Sequence, residues 1–274
     1  MDLLIKLTIG LAVSGIGAAG AYRRSSLSRS GAWSAVVMGT GFVLLGGPLW
    51  FGLLLVFFGT STYWSKWKRR HKAKEAAEAK YAKSGRRDAG QVWANGGIGL
   101  AVCALHAIWP EPWLAAAYIG VMAAVNADTW ATEIGALSSS MPRSILSGRQ
   151  VPAGTSGGIT LLGTTAALAG AACIGAAAAL LALVDAVLLP GPAALIVIAG
   201  VSGLFGALVD SVLGATLQGM YRCSQCGMEL ERHEHCGKPA ERYRGLRFMT
   251  NDIVNLASSA AAGICAVGMA AWLT

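Results

Sequence analysis

Residues 113–137 read WLAAAYIGVMAAVNADTWATEIGAL, and this stretch decides what kind of molecule the chain is. From Trp113 to Val125 no side chain is charged; then Asn126, Asp128, Thr129, Thr132 and Glu133 crowd its far end. A run of this length and apolarity suits a helix crossing the roughly 30 Å hydrocarbon core of a bilayer. Ionisable groups at the end of such a run are costly to place and point to a functional site. Shortly afterwards comes Gly154-Thr155-Ser156-Gly157-Gly158, a glycine-rich turn that opens the next apolar run.

The rest of the chain repeats the pattern. Of 274 residues 54% are hydrophobic and only 13% charged, with 36 glycines, and the mean hydropathy is +0.54. The charges fall in short blocks separated by long uncharged runs, which predicts an all-α, polytopic helical membrane protein. About eight spans are expected, at 3–22, 31–46, 48–64, 90–109, 113–137, 157–184, 193–218 and 252–273. The second and third share the break Gly46-Gly47-Pro48 and read either as two spans or as one re-entrant hairpin. The whole chain, 1–274, reads as a single integral-membrane domain with a basic loop at 65–89 and a Cys/His loop at 219–250.

The basic residues orient this layout. Arg23, Arg24 and Arg29, ten Lys/Arg from Lys66 to Arg87, Arg143 and Arg149, and six from Arg222 to Arg247 all fall on one side; Lys6 alone does not. That side is expected to be the cytoplasm of a cell membrane, with both termini outward. Trp33, Trp64, Trp67 and Trp93 would form an inner aromatic belt, and Trp50, Trp109, Trp113 and Trp272 an outer one. The net charge of +8 is thereby an orientation signal and a contact for anionic lipid, and no nucleic-acid partner is expected. Ala19-Gly-Ala21 resembles a signal-peptidase site, but the positive charges follow the apolar run, so an uncleaved first span is expected. Small residues at four-residue spacing, such as Ala171, Gly175 and Ala179, suit close helix packing in lipid.

Four spans bring polar groups to the same inner boundary. The fifth ends in Asn126, Asp128 and Glu133, and the seventh in the stripe Asp210, Gly214 and Gln218. The eighth begins with Asn251, Asp252 and Asn255, and the fourth is preceded by Arg86 and Arg87. No carboxylate lies at mid-membrane. Oxygen donors with little His or Cys suit Mg²⁺ shared with substrate phosphates. The N-termini of the fourth, sixth and eighth spans also favour anions there. Gly154, Thr155, Ser156, Gly157 and Gly158 form a candidate phosphate cradle, although the lysine-bearing P-loop pattern is absent.

Cys103, Cys173 and Cys265 lie inside spans. Cys223-x-x-Cys226 followed by His233-x-His235-Cys236 supplies three thiolates and an imidazole, the donor set of a closed tetrahedral zinc site, with either histidine as fourth ligand.

Gly85-Arg-Arg-Asp-Ala-Gly-Gln-Val, Asn126-Ala-Asp-Thr-Trp-Ala-Thr-Glu, Pro152-Ala-Gly-Thr-Ser-Gly-Gly, Asp210-Ser-Val-Leu-Gly-Ala and Asn251-Asp-Ile-Val-Asn resemble an integral-membrane family long catalogued as of unknown function. Its plant member is the phytyl-phosphate kinase of tocopherol synthesis. The likeness spans nearly the whole chain and extends distantly to phytol and dolichol kinases and phosphatidate cytidylyltransferases, which use CTP and Mg²⁺. The resemblance implies phosphorylation of a prenyl monophosphate lipid to its diphosphate by a nucleoside triphosphate. In that reading Asp128, Asp210 and Asp252 hold Mg²⁺, with Glu133 beside them. Thr155, Ser156 and the neighbouring glycines take nucleotide phosphates, Arg86 and Arg87 clamp phosphate, and Asn126, Asn251 and Asn255 lend support. The resemblance also favours His235, beside Cys236, as the fourth zinc ligand. Two other readings stand beside this one: a transporter of a small ion or phosphorylated solute, and a nucleotidyltransferase making CDP-lipids.

Overall fold

The computed structural model describes residues 2–67, 79–81, 85–185 and 190–273. The expected basic loop at 65–89 therefore falls largely outside the described residues. Among those described are eight long helices: α1 (Leu3–Arg23), α2 (Arg29–Leu45), α3 (Pro48–Lys66), α4 (Ala89–Ile108), α5 (Pro112–Gly135), α6 (Leu161–Leu181), α7 (Pro192–Thr216) and α8 (Asn251–Leu273). Five of them (α1, α4, α6, α7 and α8) are long and apolar enough to cross a membrane by length and composition. The chain is a polytopic helical membrane protein.

The helix anticipated in residues 113–137 is the central one. Every residue of α5 from Leu114 to Ala127 is buried, packed among α3, α4, α6, α7 and α8. Small residues make that possible. A Cβ on Gly203 of α7 would strike Ala171 and Ala123, and one on Gly206 would strike Ala124 and Ala262, so four helices meet with almost no side chain between them. Towards the end remote from Asp128 the packing is aromatic: Tyr118 lies 4.6 Å from Trp50 and 5.5 Å from Phe42, ring centroid to centroid. Trp50 is thus a core residue, 1% exposed, and not part of an outer belt. Its indole packs on Tyr118 of α5, on the face of α3 that also buries Leu53 and Phe57. Trp33, Trp93, Trp109, Trp113 and Trp272 are exposed, whereas Trp64 meets Trp67 and Trp130 edge to face.

The Gly46-Gly47 break separates two helices, α2 of 17 residues and α3 of 19. Both glycines are extended, and Pro48 occupies the first turn of α3. α2 begins beside Arg87, where Ser28 N–H donates to its carbonyl at 2.9 Å. α3 ends beside Arg24, whose carbonyl accepts from Lys66 Nζ at 2.9 Å. At the other end Gly47 has no side chain with which to cap α3. Asp185, just beyond α6, does so instead, its Oδ2 accepting from Leu49 N–H at 2.8 Å.

α6 starts later than expected, at Leu161. Gly157 has φ +81° and cannot continue a helix, Gly158–Ile159 (β2) pairs with Arg143–Ser144 (β1), and Thr160 caps the helix by accepting from Gly163 N–H at 3.0 Å. Between α7 and α8 the chain builds a small ribbon: β3 (Met220–Arg222), β4 (Glu229–Leu230) and β7 (Glu241–Arg244) form a sheet in the order β4-β3-β7, while β5 (Glu234–His235) and β6 (Lys238–Pro239) form a hairpin.

Candidate functional site

The C-terminal ends of α5 and α7, the start of α8, the glycine turn and the ribbon enclose one cavity of about 1040 Å³. Its wall includes Asp128, Glu133, Asp210, Asn251, Asp252 and Asn255, together with Arg87 and the turn Gly154, Thr155, Ser156, Gly157 and Gly158. Residues as far apart in sequence as Arg87 and Asn255 therefore face one space.

The carboxylates are held from different helices. Asp210 lies within electrostatic reach of Asp128 and of Glu231, and its Oδ2 accepts from Ser258 Oγ of α8 at 3.1 Å. Like charges this close in a half-buried site favour a cation among them. They are not, however, gathered as a ready-made ligand shell. The one group of three or more Asp, Glu, His or Cys placed for a common metal among the described residues is Cys223, Cys226, His235 and Cys236.

Arg87 is fixed by its backbone. Its N–H donates to Ser26 carbonyl at 3.0 Å and its carbonyl accepts from Ser28 N–H, while its guanidinium stands 5.7 Å and 5.8 Å from the ring centres of Phe57 and Phe58. Burial pulls the guanidinium below its ordinary pKa and nearby Glu133 holds it up, so the cation is confined beside an acid. Arg86 does not join it: exposed, it donates to Ser25 Oγ at 2.8 Å and lies over Tyr22, outside the cavity wall. Asn126 is also outside the wall. Fully buried, it donates from Nδ2 to Gly170 carbonyl at 2.8 Å and accepts at Oδ1 from Thr60 Oγ1 at 2.9 Å, bridging α5 to α6 and α3. Its amide serves the helix packing.

The glycine turn is docked on α7. A Cβ on Gly157 would collide with Ala215 and the Ser211 carbonyl, so both its positive φ and this contact require glycine. The turn's hydroxyls are engaged internally, Thr155 Oγ1 donating to Pro152 carbonyl at 2.7 Å and Ser156 Oγ to Gln218 Oε1 at 2.8 Å. Two of the helix N-termini at this end are likewise satisfied by side chains, α4 by the reciprocal Asp88–Gln91 box and α6 by Thr160.

The ribbon presents its ligands on two tight turns. Cys223 and Cys226 flank the β3–β4 turn, closed by Gly227 N–H to Cys223 carbonyl at 2.9 Å. His235 and Cys236 begin the β5–β6 turn, with Cys236 itself at φ +53°. His235 Nδ1 is 3.3 Å from both Cys226 Sγ and Cys236 Sγ, and all four ligand atoms lie within 4.8 Å of one another. The Cys226 N–H and His235 draw the Cys223 thiol down to about 6; burial pushes Cys236 up to about 11. This group could hold a metal such as zinc. His233 is not part of it, its ring lying 4.3 Å from that of Tyr221.

The sequence did not reveal that the ribbon also walls the cavity. Tyr221, Glu231, Arg232 and His233 line it, anchored by Glu231 N–H to Lys80 carbonyl at 2.9 Å and Arg232 Nε to Tyr81 carbonyl at 2.7 Å. At its base Arg244 donates to the carbonyls of Ala215 and Gly214 at the end of α7, where a cation suits the helix dipole.

Fold and site together define a polytopic membrane protein with a carboxylate-lined cavity at one end of its helix bundle, roofed by a Cys/His ribbon. The chain belongs to the integral membrane protein family DUF92, whose model matches residues 12–263. It is similar to Protein PGR of Arabidopsis thaliana, 30% identical and covering 92% of both chains. It is also 30% identical to an uncharacterized membrane protein of Methanocaldococcus jannaschii over 80% of this chain and 86% of that one. A third relative, an uncharacterized membrane protein of Synechocystis, is 33% identical over 54% of this chain and 55% of its own. No solved structure matches.

Proposed function

We propose that the protein is a membrane-embedded kinase that converts a prenyl monophosphate lipid to its diphosphate with a nucleoside triphosphate, CTP, and Mg²⁺. The observation that carries this reading is the convergence of Asp128, Asp210, Asp252 and Glu133 on one cavity with Arg87 and the glycine turn. Mg²⁺, when bound, would neutralise phosphate charge and orient the transferring group.

The acceptor in such a reaction is already an anionic phosphate oxygen, so no general base is required. The chain's part is to position two phosphate-bearing substrates and offset their charge. Asp128 and Asp210, with Asp252, would hold the ion, Glu133 would keep Arg87 in place, and Arg87 would contact phosphate. Asn251 and Asn255 would support the same end, and the prenyl tail would run along the apolar helix faces. The basic residues Arg23, Arg24, Lys66, Arg232 and Arg247 cluster at this end of the bundle, supporting a cytoplasmic site in a cell membrane with both termini outward.

A transport path would have to continue past the cavity through the layer of Phe42, Trp50, Tyr118, Ile174 and Leu195, all buried and apolar. That layer favours an enzyme over a transporter. The test is purified full-length protein with Mg²⁺, CTP or ATP, and phytyl, geranylgeranyl or farnesyl monophosphate, with products weighed by mass spectrometry. A prenyl diphosphate supports the kinase. A CDP-lipid would make it a nucleotidyltransferase, and no product with any pair would refute both.

A further inference from the structure

We propose that the side-chain amide of Gln218 is the hydrogen-bond donor through which the glycine turn reads a phosphate-type oxygen in the cavity. This deepens the function proposed above and rests on its placing of phosphate beside that turn.

Gln218 is only 2% exposed, yet it lines the cavity. It follows the C-terminal end of α7 on the stripe that carries Asp210 and Gly214. Its backbone has no freedom: its N–H donates to Leu213 carbonyl at 3.0 Å, and its neighbours are bonded by Leu246 N–H to Leu217 carbonyl and Gly219 N–H to Met249 carbonyl, both at 2.9 Å. Gly245, at φ +74°, packs against its carbonyl where no Cβ fits.

The side chain is fixed at one atom and unsatisfied at the other. Oε1 accepts from Ser156 Oγ at 2.8 Å, whereas Nε2 is buried without a partner. A buried amide N–H₂ left unpaired costs stability, and a ligand oxygen that pairs with it would recover that cost.

The chemistry of that ligand follows from what surrounds the amide. Ser156 has committed its proton to Gln218, and Thr155 has committed its own to Pro152. The hydroxyls therefore offer lone pairs, which repel an oxyanion, and the side-chain donor left at this corner is Nε2. Arg87, Arg232 and Arg247 line the same cavity and bring the positive charge that a neutral amide lacks. An oxygen of a phosphoryl group is the complement: it accepts from the amide while the guanidinium groups balance its charge. That oxygen could sit on the nucleotide or on the lipid.

The experiment measures equilibrium binding by calorimetry to full-length protein in detergent, with inorganic pyrophosphate standing for the nucleotide and geranyl monophosphate for the lipid. Gln218→Met keeps the length and removes the donor; Gln218→Glu keeps the acceptor for Ser156 and places a negative charge where the donor was. Both are expected to weaken at least one probe tenfold or more, Glu the more strongly, with the affected probe naming the source of the oxygen. Unchanged affinity for both probes in both variants, or no binding to the parent protein, would overturn the proposal. Thermal melts establish that each variant is folded; where Gln218→Met does not fold, Gln218→Glu alone decides, and parent-like affinity for both probes in it would overturn the proposal. Binding that depends on Gln218 in a protein with no prenyl-phosphate turnover would sustain the donor and refute the kinase; turnover indifferent to Gln218→Glu would do the reverse.

Discussion

The Ser258 hydroxyl of α8 donates to the Asp210 carboxylate of α7 at 3.1 Å, and this bond sets the cavity-facing end of one helix against another. Asp210 and Asp128 line the same cavity. Ser258→Ala is expected to lower ligand affinity several-fold with a loss of stability of about 1 kcal/mol, because a hydrogen bond to a charged group is removed and a carboxylate loses its orientation. Binding and melting curves on the same preparation check this; unchanged affinity would mean that Asp210 needs no such support.

Asn126 is expected to behave as a packing residue. Asn126→Ala deletes its bonds to Gly170 carbonyl and Thr60 and should cost about 1–2 kcal/mol of stability. The folded fraction should retain its affinity for substrates. A KM raised several-fold with an unchanged melting temperature would instead put this amide in contact with substrate.

Asp185 offers a test far from the cavity. It caps α3 from the end of α6 through Leu49 N–H, so Asp185→Ala should destabilise by about 1 kcal/mol, with Asp185→Asn milder because the amide oxygen still accepts. Equilibrium unfolding measures both, and the turnover of folded protein should not change.

The ribbon ties metal content to the cavity. Purified protein is expected to carry one zinc per chain by elemental analysis, and Cys226→Ser or a strong chelator should remove it. Since Glu231, Arg232 and His233 stand on the same ribbon and line the cavity, metal loss should weaken ligand binding while the helical circular-dichroism signal persists. Full zinc occupancy in Cys226→Ser, or binding indifferent to chelation, would separate the two.

Much of this was legible in the sequence for one reason: charge is rare in a membrane chain, so its positions carry information. The helix count, the central run at 113–137 and the carboxylates at one end follow from that scarcity. What stayed hidden depended on contacts between distant segments. Gln218 reads as the tail of a stripe until Ser156 and the ribbon are placed against it. Asp185 reads as a loop acid until α3 is seen to lack a cap of its own. Asn126 sits two residues before Asp128, but 200° around a helix, and so faces packed neighbours while Asp128 faces the cavity. Arg86 and Arg87, adjacent in sequence, also part: one meets Ser25 and Tyr22 and the other the cavity wall. The short strands went unseen because pairs of two to four residues leave no periodicity to read.

The central claim is that carboxylates from separate helices act together on a phosphate-bearing substrate. The most direct measurement is the rate of prenyl diphosphate formation from Mg²⁺, CTP and a prenyl monophosphate by the parent protein, Asp128→Asn and Asp210→Asn at matched folded concentration. Product is expected from the parent, with a loss of at least a hundredfold in each variant and melting temperatures within a few degrees of the parent. Parent-like turnover by both variants would contradict the claim.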